Sequence, residues 1–206
     1  KWRNRDITSQ SAINLDLDLD DDYRQFSTDN RILVNALLGF GLEIGDHRFR
    51  WTNLYIRDTL KQASLSIGKE FQDDRSEIYQ NTGWYERELI DTQLVGELKF
   101  GKLSLDLRGG YAKTKREAPF EYEFRYVRTD QPNDPYGELF INVLDRQRGN
   151  ASVTFSDLSE ELWFGGADLG YALTDWLTVS AGYAYTDTSR FSERREFFFN
   201  APTTFP

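Results

Sequence analysis

Residues 92–112 read Thr92-Gln93-Leu94-Val95-Gly96-Glu97-Leu98-Lys99-Phe100-Gly101-Lys102-Leu103-Ser104-Leu105-Asp106-Leu107-Arg108-Gly109-Gly110-Tyr111-Ala112. Leu94, Gly96, Leu98 and Phe100 fall on one side, and Gln93, Val95, Glu97 and Lys99 on the other. A repeat of two is the period of a strand. Gly101-Lys102 reads as a turn, after which Leu103, Leu105, Leu107 and Tyr111 share a face against Ser104, Asp106 and Arg108. A two-residue hairpin pairs Phe100 with Leu103, Leu98 with Leu105 and Gly96 with Leu107. That register puts the apolar residues on one side, and a slip of one residue would scatter them over both. Each run has the length of a strand that crosses a bilayer at a tilt.

The same design recurs on either side. Ala167, Leu169, Tyr171 and Leu173 share a face, and after Thr174-Asp175-Trp176 it is taken up by Leu177, Val179, Ala181, Tyr183 and Tyr185. Matching these faces needs a three-residue turn pairing Leu173 with Leu177, without the glycine usual at its left-handed position. Ile32, Val34, Ala36, Leu38, Phe40, Leu42 and Ile44 alternate with Asn35, Gly39, Gly41 and Glu43 up to a turn near Gly45-Asp46. The returning strand carries Phe49, Trp51 and Tyr55 on the matching face, with Asn53 among them, and Leu54 and Ile56 on the other. This strand is apolar on both sides, which a one-sided apolar wall does not explain.

The turns at 45–46, 101–102 and 174–176 are short. The alternate connections, roughly 65–83, 114–138 and 190 onward, are charged and read as long loops, and 139–156 as a further strand pair or a loop excursion. Short turns on one rim and long loops on the other are the habit of outer-membrane barrels. Phe49, Phe100 and Tyr171 near the short turns, and Tyr55, Tyr111, Tyr183 and Tyr185 toward the loops, suit two aromatic girdles. The expected fold is all-β: an antiparallel up-and-down transmembrane β-barrel segment of roughly eight strands, part of a larger barrel.

Composition removes other classes. There is no Cys and one His, His47, so thiolate and multi-histidine metal sites are excluded. With 15% aromatic residues the chain is too aromatic for disorder. A mean hydropathy of −0.64 is too polar for a helical membrane protein, but not for strands that show lipid every second residue. A net charge of −9 argues against nucleic acid as a partner. The chain begins at Lys1 as though in mid-strand, without Met or a signal peptide, and ends at Thr203-Thr204-Phe205-Pro206 with no strand. We therefore expect residues 1–206 to be a piece of a longer protein.

Few segments suggest chemistry. In Leu15-Asp16-Leu17-Asp18-Leu19-Asp20-Asp21-Asp22, Asp16, Asp18 and Asp20 point the same way on a strand and are candidate Ca²⁺ ligands. The Gly and distal Glu of an EF-hand are missing, and a solvated acidic strand end or loop is the preferred reading. Glu86, Arg87, Glu88 and Asp91 include acid pairs of the kind that hydrolyse glycosides when set opposite each other, but nothing fixes such a geometry. Lys113-Thr114-Lys115-Arg116 and Arg194-Arg195 read as loop or lumen charges, or as contacts for lipopolysaccharide phosphates. His47 reads as a polar turn residue. No phosphate loop, nucleophile elbow or zinc motif is present, and no catalytic or cofactor-binding residue is expected.

Three stretches, in order, resemble the TonB-dependent outer-membrane receptors of Gram-negative bacteria. They are Arg50-Trp51-Thr52-Asn53-Leu54-Tyr55-Ile56-Arg57-Asp58-Thr59; Trp84-Tyr85-Glu86-Arg87-Glu88-Leu89-Ile90, continuing through Gln93 and Gly96 to Phe100; and Ala181-Gly182-Tyr183-Ala184-Tyr185-Thr186-Asp187-Thr188-Ser189-Arg190, followed by Arg195-Glu196-Phe197. The resemblance spans most of residues 31–200. It implies a barrel of about 22 strands plugged by an N-terminal domain, binding a scarce nutrient (siderophore, cobalamin or carbohydrate) and importing it with energy from the inner-membrane TonB complex. The implied partners are the lipid bilayer, lipopolysaccharide, the plug domain, the TonB complex and a small nutrient ligand. The sequence departs from the pattern in having no recognisable plug, TonB box or terminal aromatic strand. The alternatives are a small stand-alone outer-membrane barrel, acting as an adhesin or stability protein, and a soluble β-sandwich that binds carbohydrate.

Overall fold

The computed structural model describes residues 1–13, 16–129, 131–145 and 148–201, with the backbone alone at 12, 13 and 16. The elements are β1 (Trp2–Ile13), β2 (Asp16–Ile44), β3 (His47–Glu70), β4 (Arg75–Phe100), β5 (Leu103–Thr129), β6 (Asn150–Ala172) and β7 (Thr178–Phe199). They form one antiparallel sheet in chain order, with β1 and β7 at its edges. The all-β, up-and-down architecture is as expected. Among the described residues there are seven strands where roughly eight were expected, and 139–156 adds no pair of its own: β6 begins at Asn150. Before it, the segment 131–145 touches the sheet through a bridge between Ile141 and Val127. Among the described residues there is no second sheet for a sandwich to use.

The central hairpin has the register read from sequence: Phe100 pairs with Leu103, Leu98 with Leu105 and Gly96 with Leu107. Gly45 and Gly101 open their turns at φ 61° and 62°, as in the hairpin turn that takes glycine at its first central position. The third turn closes without a left-handed residue. The Leu173 amide donates to the Leu177 carbonyl at 2.9 Å, and the Leu177 amide donates back to Thr174 Oγ1 at 3.1 Å.

The long-loop expectation is corrected. Residues 65–83 are strand except at Phe71–Asp74, β5 runs on to Thr129, and β7 to Phe199. These stretches are rich in charge, but they pair as strand, and on β5 Phe120, Tyr122 and Phe124 line one face with their rings in contact. Arg75 meets Glu70 at 2.7 Å, Arg24 meets Asp6 at 3.4 Å, and Tyr85 donates to Glu121 at 2.6 Å. A strand that leaves an apolar surroundings no longer needs an apolar face, so the ladder persists where the sequence signal ends.

Candidate functional site

The registers sort side chains onto two faces. One face carries an apolar belt next to the short turns. It runs from Ile44 to Ile32 on β2, Phe49 to Tyr55 on β3, Phe100 to Ile90 on β4, Leu103 to Tyr111 on β5, Tyr171 to Trp163 on β6 and Val179 to Tyr185 on β7. Its side chains are uncovered: Leu42, Phe40 and Leu94 are each 55% exposed. An apolar surface of this extent marks an interaction surface. Its far edge is sharp, because the next residues on this face are Asn30, Arg57, Glu88, Lys113, Glu161 and Asp187. Tyr55, Tyr111, Trp163 and Tyr185 lie just inside that edge.

The edge crosses the strands obliquely. The pairs Ile32–Thr59–Glu86–Glu117–Asp157–Glu193 form one level row. The belt reaches this row on β2 but stops at Tyr185 on β7, eight residues short of Glu193. Eight residues are about 27 Å of strand, and five strand spacings are about 24 Å. The strands therefore tilt by about 48° from the normal to a level boundary, against a tilt of about 35–45° in closed barrels. On β4, Phe100 to Ile90 is about 34 Å of strand, or at that slope about 23 Å of height, close to the apolar band of outer-membrane barrels, about 25 Å.

The opposite face is polar. Arg31 grips Asp58 through two hydrogen bonds of 2.8 Å, and Arg87 approaches the same carboxylate at 3.5 Å. Arg108 pairs with Asp168, and a Cβ at Gly182 would lie 1.8 Å from that carboxylate, so the pair needs glycine there. The puzzle of β3 resolves here. Leu54 pairs with Leu37, and Ile56 with Leu89, making an apolar island on the polar face in which Leu37 is 71% exposed.

Beyond the belt the polar face holds a recess of about 520 Å³, lined by Tyr23, Ser66, Glu70, Arg75, Glu77, Tyr79 and Arg125 among others. Glu77 is at its centre and 1% exposed. It accepts from Arg125 Nε at 3.1 Å and from the Tyr23 hydroxyl at 3.0 Å, and Tyr79 also donates to it. Burial works against its charge, but the hydrogen bonds from Arg125, Tyr79 and Tyr23 and the positive Arg125 outweigh burial. The carboxyl sits below its ordinary range. Burial and the Glu77 carboxylate push both phenols up and keep them as donors. Sequence reading missed this site, because all of the named residues but Tyr23 lay in presumed loops and their contacts join positions 54 and 48 apart in the chain.

The residues flagged from sequence fall apart from one another. Leu15 and the Asp16 side chain lie outside the described residues. Asp18 is exposed on β2, and Asp20 accepts hydrogen bonds from Ser11 and Gln72. Among the described residues no three His, Asp or Glu gather as a metal ion would require. Glu86 and Glu88 are on the belt face, where Glu86 meets Arg57 at 2.9 Å and Glu88 accepts from Tyr55 at 3.2 Å. Asp91 and Arg87 are on the other face, so these acids do not oppose each other. Lys113 pairs with Glu161 and Lys115 with Glu117. Arg194 and Arg195 each meet a glutamate on their own strand. His47 packs its ring 4.9 Å from Phe100 and accepts the Lys99 amide.

No family model matches the chain, and no curated protein matches it. Among solved structures, the siderophore receptor PiuA from Acinetobacter baumannii is similar over 89% of this chain and 31% of that one, at 13% identity and a TM-score of 0.28. This chain thus spans less than a third of that receptor's length. A triple mutant of Rhodopseudomonas blastica porin is similar over 95% of this chain and 98% of that one, at 5% identity and a TM-score of 0.11. Likenesses at these scores carry no weight beside the belt and its slope.

Proposed function

We propose that this chain is a stretch of the wall of an outer-membrane β-barrel from a Gram-negative bacterium, within a TonB-dependent receptor that takes up a scarce nutrient. The observation that carries the membrane placement is the belt: apolar on one face only, about 23 Å tall once the slope is allowed for, and edged by charge. The belt faces lipid, and the charged edge meets the headgroups, lipopolysaccharide among them. The polar face lines the lumen. Its island of Leu37, Leu54, Ile56 and Leu89 is poorly suited to water, and a domain seated in the lumen would cover it, which supports a plugged receptor over an open pore. The recess around Glu77 lies on the lumen side beyond the membrane and is the first place we would look for ligand contact. The finer reading of siderophore, cobalamin or carbohydrate uptake, powered by the TonB complex, rests on the sequence resemblance. The alternative of a small stand-alone barrel sits less well with two open edge strands.

Tryptophan depth tests the placement. The protein is reconstituted into vesicles whose acyl chains carry bromine, and single-tryptophan variants retain Trp51, Trp163 or Trp84. Trp51 and Trp163 should be strongly quenched, and Trp84, six residues beyond Ile90, should not. Equal quenching of all three, or none, rejects the belt as the lipid-facing surface. Uptake is tested by competition: nutrient import that persists without TonB would reject the receptor reading.

A further inference from the structure

Two tyrosines on the polar face are laid down in the same way. Tyr23, Gly68 and Glu77 pair in one line across β2, β3 and β4, and the Tyr23 ring crosses above Gly68 so that its hydroxyl donates to Glu77 at 3.0 Å. Gly83 pairs with Glu121 across β4 and β5, and the Tyr85 ring turns back above Gly83 so that its hydroxyl donates to Glu121 at 2.6 Å. A Cβ at Gly68 would meet the Tyr23 backbone and its ring, the ring at 2.5 Å, and one at Gly83 would lie 2.8 Å from the Tyr85 ring. Neither glycine has a positive φ, so what they supply is room for a ring to lie low on the sheet. Each ring becomes a plate with a carboxylate at its tip, one face against the strand and the other toward the lumen.

The plates belong to two hollows on one track. Tyr23 lines the recess around Glu77, and Tyr85 lines a second recess of about 190 Å³. Glu77 and Gly83 are six residues apart on β4, so the plates are about 20 Å apart along the strand. Between them Ser66 pairs with Tyr79 and Ser64 with Asn81, and Gln25 donates to Ser66 at 3.3 Å. The hydroxyls and amides of this stretch can both donate and accept. The track is acidic: Asp21, Glu70, Glu77, Glu121, Glu123 and Glu196 outnumber Arg75, Arg125 and Arg194 in the two recesses. Each of these arginines already meets a glutamate, Arg75 at Glu70, Arg125 at Glu77 and Arg194 at Glu196.

On the reading that this face is the lumen of a nutrient receptor, we infer that the track binds a linear, neutral oligosaccharide, with one sugar on each plate. A sugar ring offers a C–H face to an aromatic ring, and hydroxyls at its rim that donate to carboxylates and accept from amides. Flat apolar surface with a few convergent polar groups is what such a ligand needs. An anionic ferric catecholate would meet carboxylates in excess and arginines already paired. A compact ligand could cover one plate. An extended chain reaches both, and its second contact is then intramolecular.

The test is the dependence of binding on chain length. The protein in vesicles is titrated with fluorescently tagged hexasaccharides and disaccharides (α- and β-linked glucans, a β-linked mannan and a β-linked xylan) and with a ferric catecholate. Bromolipid quenching of the variant that retains only Trp51 is recorded in parallel. At least one hexasaccharide should bind at least about tenfold more tightly than its disaccharide. Tyr23→Ala and Tyr85→Ala should each erase that preference, and Tyr85→Phe, which keeps the ring, should retain it. Hexasaccharides bound no better than disaccharides, or a length preference that survives both alanine variants, overturns the track. A ferric catecholate held through the same tyrosines while no sugar binds overturns the ligand class and leaves the receptor reading in place. Sugar binding with Trp51 unquenched would keep the track and sink the membrane placement, which separates the two failures.

Discussion

Positions 93 and 94 are adjacent on β4, and both are exposed in the sheet, yet they face opposite ways. Replacing each in turn with arginine therefore isolates the face from everything else. Leu94 is six residues above Phe100 on this strand, where the belt spans eleven residues. That is about 20 Å of strand and, at the derived slope, about 14 Å up a band about 23 Å tall, within about 3 Å of its middle. Arginine at the middle of a barrel's lipid face costs about 2–4 kcal/mol, a factor of about 30 to 800 in the folded-to-unfolded ratio. Gln93→Arg projects into a polar face already furnished with Arg50 and Arg108 and should stay within about 0.5 kcal/mol. Equilibrium urea unfolding in lipid vesicles, followed by tryptophan emission, measures both. Similar costs at 93 and 94, or a larger one at 93, would refute the assignment of faces and with it the belt.

The far end offers a pH test: Glu77 has its carboxyl held below its ordinary value near 4.5, so its contribution is present above that value and fades as pH falls through the lowered one. Near-ultraviolet dichroism of Tyr23 and Tyr79 should fade on acidification, and Glu77→Gln should abolish that dependence; an unchanged acid transition in Glu77→Gln would mean another group controls it. Glu77→Leu removes the carboxylate paired with Arg125, which is 17% exposed, and should cost about 3–5 kcal/mol in the same unfolding assay. The Tyr85 phenol, pushed up to about 12 by burial and by the Glu121 carboxylate, should titrate closer to 10 in Glu121→Gln by ultraviolet absorbance. Gly101→Ala, at φ 62°, should destabilise by about 1 kcal/mol or more, whereas Gly41→Ala, with open space and no positive φ, should be neutral or better in the same unfolding series.

How much was legible in the sequence depended on where the apolar signal lay. Hairpin 92–112 was readable pair by pair, and hairpins 31–60 and 167–185 by their alternating faces and turns. One face of each is constrained to be apolar, and Gly45 and Gly101 anchor the register of two of them. The same pattern could not announce β1, the first half of β2 or the ends of β3, β4 and β5. There charged residues are frequent, and pairing is held by backbone bonds, by ion pairs such as Arg24–Asp6 and, on β5, by ring contacts among Phe120, Tyr122 and Phe124. The recess was invisible for a further reason: Tyr23, Glu77 and Arg125 come from three strands, and no local spacing links them. Leu54 and Ile56 were noticed as anomalies, but their partners Leu37 and Leu89 emerge only once the strands are aligned. Asn53 was also noted as out of place, and its carbonyl oxygen accepts the Thr92 hydroxyl at 2.8 Å across the β3–β4 pair.

Seven is an odd number, and that constrains whatever completes the wall. Six reversals separate β1 from β7, so the two edge strands run the same way, both away from the short-turn rim. Bent round to meet, they would have to pair in parallel. A ring in which every neighbour is antiparallel has an even count. The missing arc must therefore supply an odd number of strands, entering beside β7 and leaving beside β1 in the opposite direction to both. Adding or deleting whole hairpins, the step by which such walls grow most simply, never changes this parity. Only the gain of a single strand does, and it carries the chain from one rim of the barrel to the other.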